Sequence, residues 1–148
     1  MMRAIKAFWP VMESRATIDF ECWMFTWHPH YEVSNFGRVR SWAPRGGNVR
    51  GKKPKIPVSP RLLKPGRSSS GYLTVAFGRG HSQCVHVLVA AAFLGLKPEG
   101  CEVRHKDDNR ENPRLLNLEY GTRQDNVNDM MARNRYWSPK RRAYFYGQ

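Results

Sequence analysis

An α+β fold is predicted for this 148-residue chain: a small basic, β-rich module followed by a strand–loop–strand–helix unit. Three observations predict it. Residues 71–77 (GYLTVAF) alternate in polarity as a half-buried strand does, and Gly78-Arg79-Gly80 turns the chain after it. The apolar run from Val85 to Leu94 is too long and too rich in alanine for an ordinary strand, so it predicts a buried helix stopped by Gly95. Charge is also segregated. No Asp or Glu occurs between Val33 and Pro98, a stretch holding Arg38, Arg40, Arg45, Arg50, Lys52, Lys53, Lys55, Arg61, Lys64, Arg67, Arg79 and Lys97.

Residues 1–22 are mixed in charge and carry no motif. After the aromatic stretch 23–27 (WMFTW), Tyr31, Val33, Val39 and Ser41 suit two strands joined by a turn at Asn35-Phe36-Gly37. Residues 43–70 are rich in Pro, Gly, Ser, Lys and Arg, which predicts a basic loop or linker with one short strand at 61–64. Beyond the helix, residues 101–106 (CEVRHK) form a strand, Asp107-Asp108-Asn109 opens a polar loop, and residues 117–120 (NLEY) form a second strand. A last helix starts near Arg123, with Thr122 as its N-cap and Asp125 three residues on, a carboxylate version of the capping box. From Arg133 the tail mixes Arg and Lys with Tyr and Trp. The predicted organisation is an unassigned segment 1–22, a basic module and linker 23–70, a second unit 71–132 and a tail 133–148.

Charge points to one partner class, and apolar run length and cysteine usage exclude others. Lys and Arg number 25 against 12 Asp and Glu, a formal net of +13, and the excess lies in the block just described. An uninterrupted single-sign block is the footprint of a polyanion-binding surface, with nucleic acid as the expected partner. The longest apolar run falls short of the roughly 20 residues a membrane span needs. The N-terminus has no h-region or cleavage site, so no signal peptide is expected. Cys22, Cys84 and Cys101 are odd in number and form no CxxC, which argues against a disulfide framework and for a reducing compartment, the cytoplasm.

Polar residues suited to chemistry stand on each piece of the C-terminal unit: His105 ends its first strand, Asn117 begins its second, and Asn126 lies in the first turns of its helix. The segment from His105 to Asn126 (HKDDNRENPRLLNLEYGTRQDN) resembles the HNH nucleases, in particular the phage and intron homing-endonuclease branch. It follows that family's order, H-x-D-x-N, then N-L-x-W/Y-x-T, then an Asn on the helix. Residues 85–93 (VHVLVAAAF) resemble the family's preceding helix. Residues 31–41 (YEVSNFGRVRS) resemble the small nuclease-associated DNA-binding module that accompanies it.

The resemblance implies a ββα metal-binding catalytic unit of the His-Me finger type, hydrolysing DNA phosphodiester bonds, in a protein encoded by a phage or mobile element. It implies His105 as general base, a role a neutral imidazole suits near pH 7. It gives Asn117 the bracing of the loop and histidine, and Asn126 the ligation of a divalent ion, Mg²⁺ in the first instance or Mn²⁺. One position departs from the pattern. The family carries a metal-ligating Asp just before the base, and this chain has Arg104, which cannot ligate a cation. His86 is the leading substitute ligand, Asp107 and Asp108 weaker ones, and Arg104 is assigned instead to the scissile phosphate. Zinc is not expected, because Cys84, His86, Cys101 and His105 lack structural-zinc spacing and His105 is needed as the base. Arg38, Arg40, Arg45, Arg50, Lys52, Lys53 and Lys55 are the expected phosphate contacts, supplying affinity without sequence readout. One active site per chain favours a monomer. The rival expectation is a DNA-binding protein that lost its metal site through Arg104.

Overall fold

The computed structural model describes residues 20–44, 57–78 and 80–132. The predicted basic positions Arg45, Arg50, Lys52, Lys53 and Lys55, and the tail from Arg133, lie outside the described residues.

The N-terminal module is an antiparallel sheet of β1 (Trp23–Phe25), β2 (Tyr31–Ser34), β3 (Val39–Ser41) and β4 (Arg61–Leu62), in that order. Val33 pairs with Val39 across β2 and β3, so their side chains leave the same face, and both are buried. The turn between them needs Gly37, whose φ of +81° favours a residue without Cβ. A Cβ there would also collide with Pro113. Asn35 locks this corner: its Oδ1 accepts from the Cys22 N–H at 2.8 Å, its Nδ2 donates to the Phe20 carbonyl at 3.0 Å, and its own carbonyl accepts from the Leu115 N–H at 2.8 Å. The last bond reaches the C-terminal unit.

A second sheet contains β5 (Gly66–Arg67), β6 (Leu73–Ala76) and β7 (Ser82–Cys84). β5 lies in the segment expected to be linker, and its pairing with β6 carries this sheet across the expected boundary at residue 70. Helix α1 (Val85–Phe93) follows β7 directly, and Gly95 at φ +85° lies just past its end. Val85, Leu88 and Val89 are fully buried beneath Val33, Val39, Val75, Phe77 and Leu118. Each such side chain contributes about 1.5–3 kcal/mol. Both modules therefore share one core.

The C-terminal unit is a hairpin of β8 (Cys101–His105) and β9 (Leu118–Thr122), then α2 (Arg123–Ala132). Asn117 closes a 3-10 turn (Leu115–Asn117) rather than opening the strand. Strand periodicity divides β8 between two helices. Val103 packs on the core and His105 meets His86 of α1, whereas Glu102 and Arg104 contact α2. The predicted cap is present and reciprocal: the Asp125 carboxylate accepts from the Thr122 N–H at 2.8 Å, and Thr122 Oγ1 accepts from the Asp125 N–H at 3.2 Å. No residue of α2 is buried, so polar contacts carry much of its attachment.

Candidate active site

His105 stands at the end of β8, its ring 4.9 Å from that of His86 and 5.8 Å from that of Tyr72, centroid to centroid. Its Nε2 is buried and has no hydrogen-bond partner, and the residue lines the cleft in front. Burial lowers the pKa of the ring from its ordinary value; Asp107 acts against that shift and Arg110 adds to it. The imidazole is accordingly neutral at pH 7, the state a proton acceptor requires.

His86 lies behind this ring. Burial, with a smaller contribution from His105, lowers its pKa to about 4. It packs on Tyr72 at 4.7 Å and lines no part of the cleft. The structure sets His86, expected as the substitute metal ligand, behind Tyr72 and His105 rather than among the residues lining the cleft.

Asn117 braces the loop. Its Oδ1 accepts from the Asp107 N–H at 2.9 Å, and its Nδ2 donates at 2.8 Å to both Asp107 Oδ1 and the Asn112 carbonyl. Its carbonyl accepts from the Lys106 N–H at 2.8 Å, fixing the residue that follows His105. Asp107 is occupied by these contacts; the Asn112 amide, donating at 2.7 Å, is the largest cause of its lowered pKa. Asp107 thus closes the turn.

The other wall is built by α2. A cleft of about 270 Å³ is lined by His105, Glu102, Arg104, Arg110, Asn126 and Asp129, among others. Arg110 is held over the Tyr72 ring at 5.0 Å and donates to the Ser70 carbonyl at 2.7 Å, which ties the β5–β6 turn to the active-site loop. The Asn126 Nδ2 lies 3.1 Å from Glu102 Oε2 and donates to it. Sequence reasoning missed Glu102. The signal available was the strand period, which puts residues 102 and 104 on one face.

Arg104 is paired with Asp129, with Glu119 at 3.5 Å and with Asp125 at 3.8 Å, and its side chain is only 14% exposed. A guanidinium enclosed by three carboxylates is already neutralised, so its expected role on the scissile phosphate is corrected. Gly121 makes room for it: a Cβ there would collide with Arg104 Cδ and Nη1. Arg40 is likewise committed to the fold. It pairs with Glu32 and stacks 4.1 Å over Trp23, while Trp42 Nε1 donates to the same Glu32 at 2.9 Å. Arg38 pairs with Glu21 yet remains 55% exposed, open enough to meet a phosphate.

Among the described residues no three His, Cys, Asp or Glu side chains group to hold a metal. The donors in the cleft do fit a hard divalent ion. Glu102 offers carboxylate oxygens, and the Asn126 amide, turned about its bond to the chain, offers Oδ1 beside them. Mg²⁺ uses such sparse sites, completed by water and substrate phosphate.

A neutral histidine at a strand end, a loop braced by asparagine, and a helix bringing an amide to the same cleft define a ββα nuclease unit. Residues 83–128 match the HNH endonuclease family and residues 24–78 match the NUMOD4 motif. The chain carries an HNH endonuclease domain and a NUMOD4 motif and is homologous to a phage HNH homing endonuclease. It is 34% identical over 107 residues to DNA endonuclease I-HmuI of Bacillus phage SP01, covering 70% of this chain and 53% of that protein. A solved structure of DNA binding and cleavage by the HNH homing endonuclease I-HmuI superposes with a TM-score of 0.59 at 30% identity. That match covers 82% of this chain and 64% of the other. The chain thus spans about half the length of that phage relative.

Proposed function

We propose that this chain is a divalent-metal-dependent DNA endonuclease, acting as a monomer in the cytoplasm of a phage-infected or element-bearing cell. The observation that carries the reading is the cleft shared by a neutral His105 and the paired Asn126 and Glu102. The neutral His105 ring accepts a proton from the attacking water. Asn117 holds the loop so that His105 keeps its orientation. A divalent cation, Mg²⁺ in the first instance, supplies charge neutralisation at the scissile phosphate and leaving oxygen when bound. Arg38, Arg45, Arg50, Lys52, Lys53 and Lys55 contact phosphates and supply sequence-independent affinity. Homology to a phage DNA endonuclease supports this reading.

One observation favours a second reading, a DNA-binding protein without cleavage: Arg104 stands where the family carries a ligating carboxylate. Incubating supercoiled plasmid with the protein and Mg²⁺ or EDTA separates the two. Nicking or linearisation only with Mg²⁺ is expected. Binding without cleavage at any Mg²⁺ or Mn²⁺ concentration would leave the second.

A further inference from the structure

We infer that the divalent cation of this nuclease is held by Glu102 together with Asn126, the carboxylate having moved two residues back along β8 from position 104. The inference rests on the endonuclease reading and names the ligand that Arg104 displaces. Positions i and i−2 of a strand share a face and lie about 6.7 Å apart along it. Glu102 therefore projects towards α2 from the same side as Arg104, and its side chain is one methylene longer than that of an aspartate. Its Oε2 reaches the Asn126 amide at 3.1 Å. Two ligand oxygens side by side on an octahedral ion at 2.0–2.1 Å lie roughly 2.9 Å apart, so this pair is already spaced for chelation. The cation would replace the hydrogen bond, the amide turning to present Oδ1.

Charge on this side of β8 points the same way. Glu119, Asp125 and Asp129 face Arg104 and Glu102 stands against Asn126, a surplus of carboxylates that favours a cation over a phosphate group. Arg104 draws Glu119, Asp125 and Asp129 to itself, and Glu102 alone keeps its carboxylate against Asn126. His105 is among the residues lining the same cleft, and the proposed pair leaves it free of any ligand role.

The test is a Mn²⁺ titration of the full chain without DNA, reading free ion by electron paramagnetic resonance, with plasmid cleavage assayed in parallel. Glu102→Gln removes the charge while keeping the shape, and circular dichroism checks that the variant folds. It should weaken Mn²⁺ binding at least about tenfold. Glu102→Asp should retain part of the affinity, and Glu119→Gln should leave it within about threefold of the parent. Unaltered binding in Glu102→Gln, an equal loss in Glu119→Gln, or no Mn²⁺ binding by the parent chain would each overturn the inference. Mn²⁺ binding that depends on Glu102 in a protein that never cuts plasmid would uphold it while sinking the endonuclease reading.

Discussion

Replacing Arg104 with Asp should loosen α2 and weaken the site, although it restores the residue type the family carries there. Helix α2 has ten residues and buries none of them, and helices this short are marginal alone in water. Its attachment to the hairpin includes the Arg104 pairs with Asp129 and Asp125 and the Asn126–Glu102 bond. Exposed ion pairs give about 0.2–1 kcal/mol each. The Arg104–Asp129 contact belongs at or above the upper end, because the guanidinium is 14% exposed and its partner 39%. Losing it costs about 1–2 kcal/mol, and an Asp at 104 facing Asp129 adds about 1 kcal/mol of repulsion at 4 Å in water-like surroundings. The sum, about 2–3 kcal/mol, raises the undocked population of α2 by roughly 30- to 150-fold. Native-state amide hydrogen exchange reads this directly: protection across α2 should fall by that factor while α1, buried in the core, keeps its own. An Arg104→Asp variant with unchanged protection in α2, or with tighter Mn²⁺ binding and faster cleavage, would refute the reasoning.

Two further outcomes are expected. Gly121→Ala, which drives a methyl group into the Arg104 side chain, should reproduce the loss of α2 protection in milder form and leave the core unaffected; hydrogen exchange of the two helices checks it. Acidification should destabilise the protein through His86. A folded pKa of about 4 against an ordinary 6.5 means that the unfolded chain binds the proton more tightly. The contribution is therefore fully present above about pH 6.5 and is lost as pH falls towards 4, on the order of 2–3 kcal/mol in all. Thermal melts between pH 7.5 and 4 should show this slope, and His86→Phe should flatten it; an equal slope in both would assign the effect elsewhere.

Much of the site was legible because its signals are local. The Thr122–Asp125 cap, the strand ending at His105 and the glycine stop after α1 each depend on a few neighbouring residues. What was missed depends on partners distant in sequence. β5 is only two residues, Gly66 and Arg67, and exists through its pairing with β6. The direction of His86 could not be read from its apolar helix, which shows little preference between faces. Arg104 looked free for a phosphate because the carboxylates that hold it come from β9 and α2. Asp125 and Asp129, four apart on one helix face, were the available hint. Glu102 stands out through its contact with Asn126, a partner 24 residues away.

The central claim is that His105 is the base of a DNA-cutting site. Its most direct test compares the parent chain with His105→Ala for Mg²⁺-dependent plasmid cleavage and, in the same buffer, for DNA affinity. The account predicts that cleavage falls by about 10²–10⁴-fold while affinity stays within about threefold. Undiminished cleavage by His105→Ala, or a parent chain that binds DNA and never cuts it with any divalent ion, would contradict it.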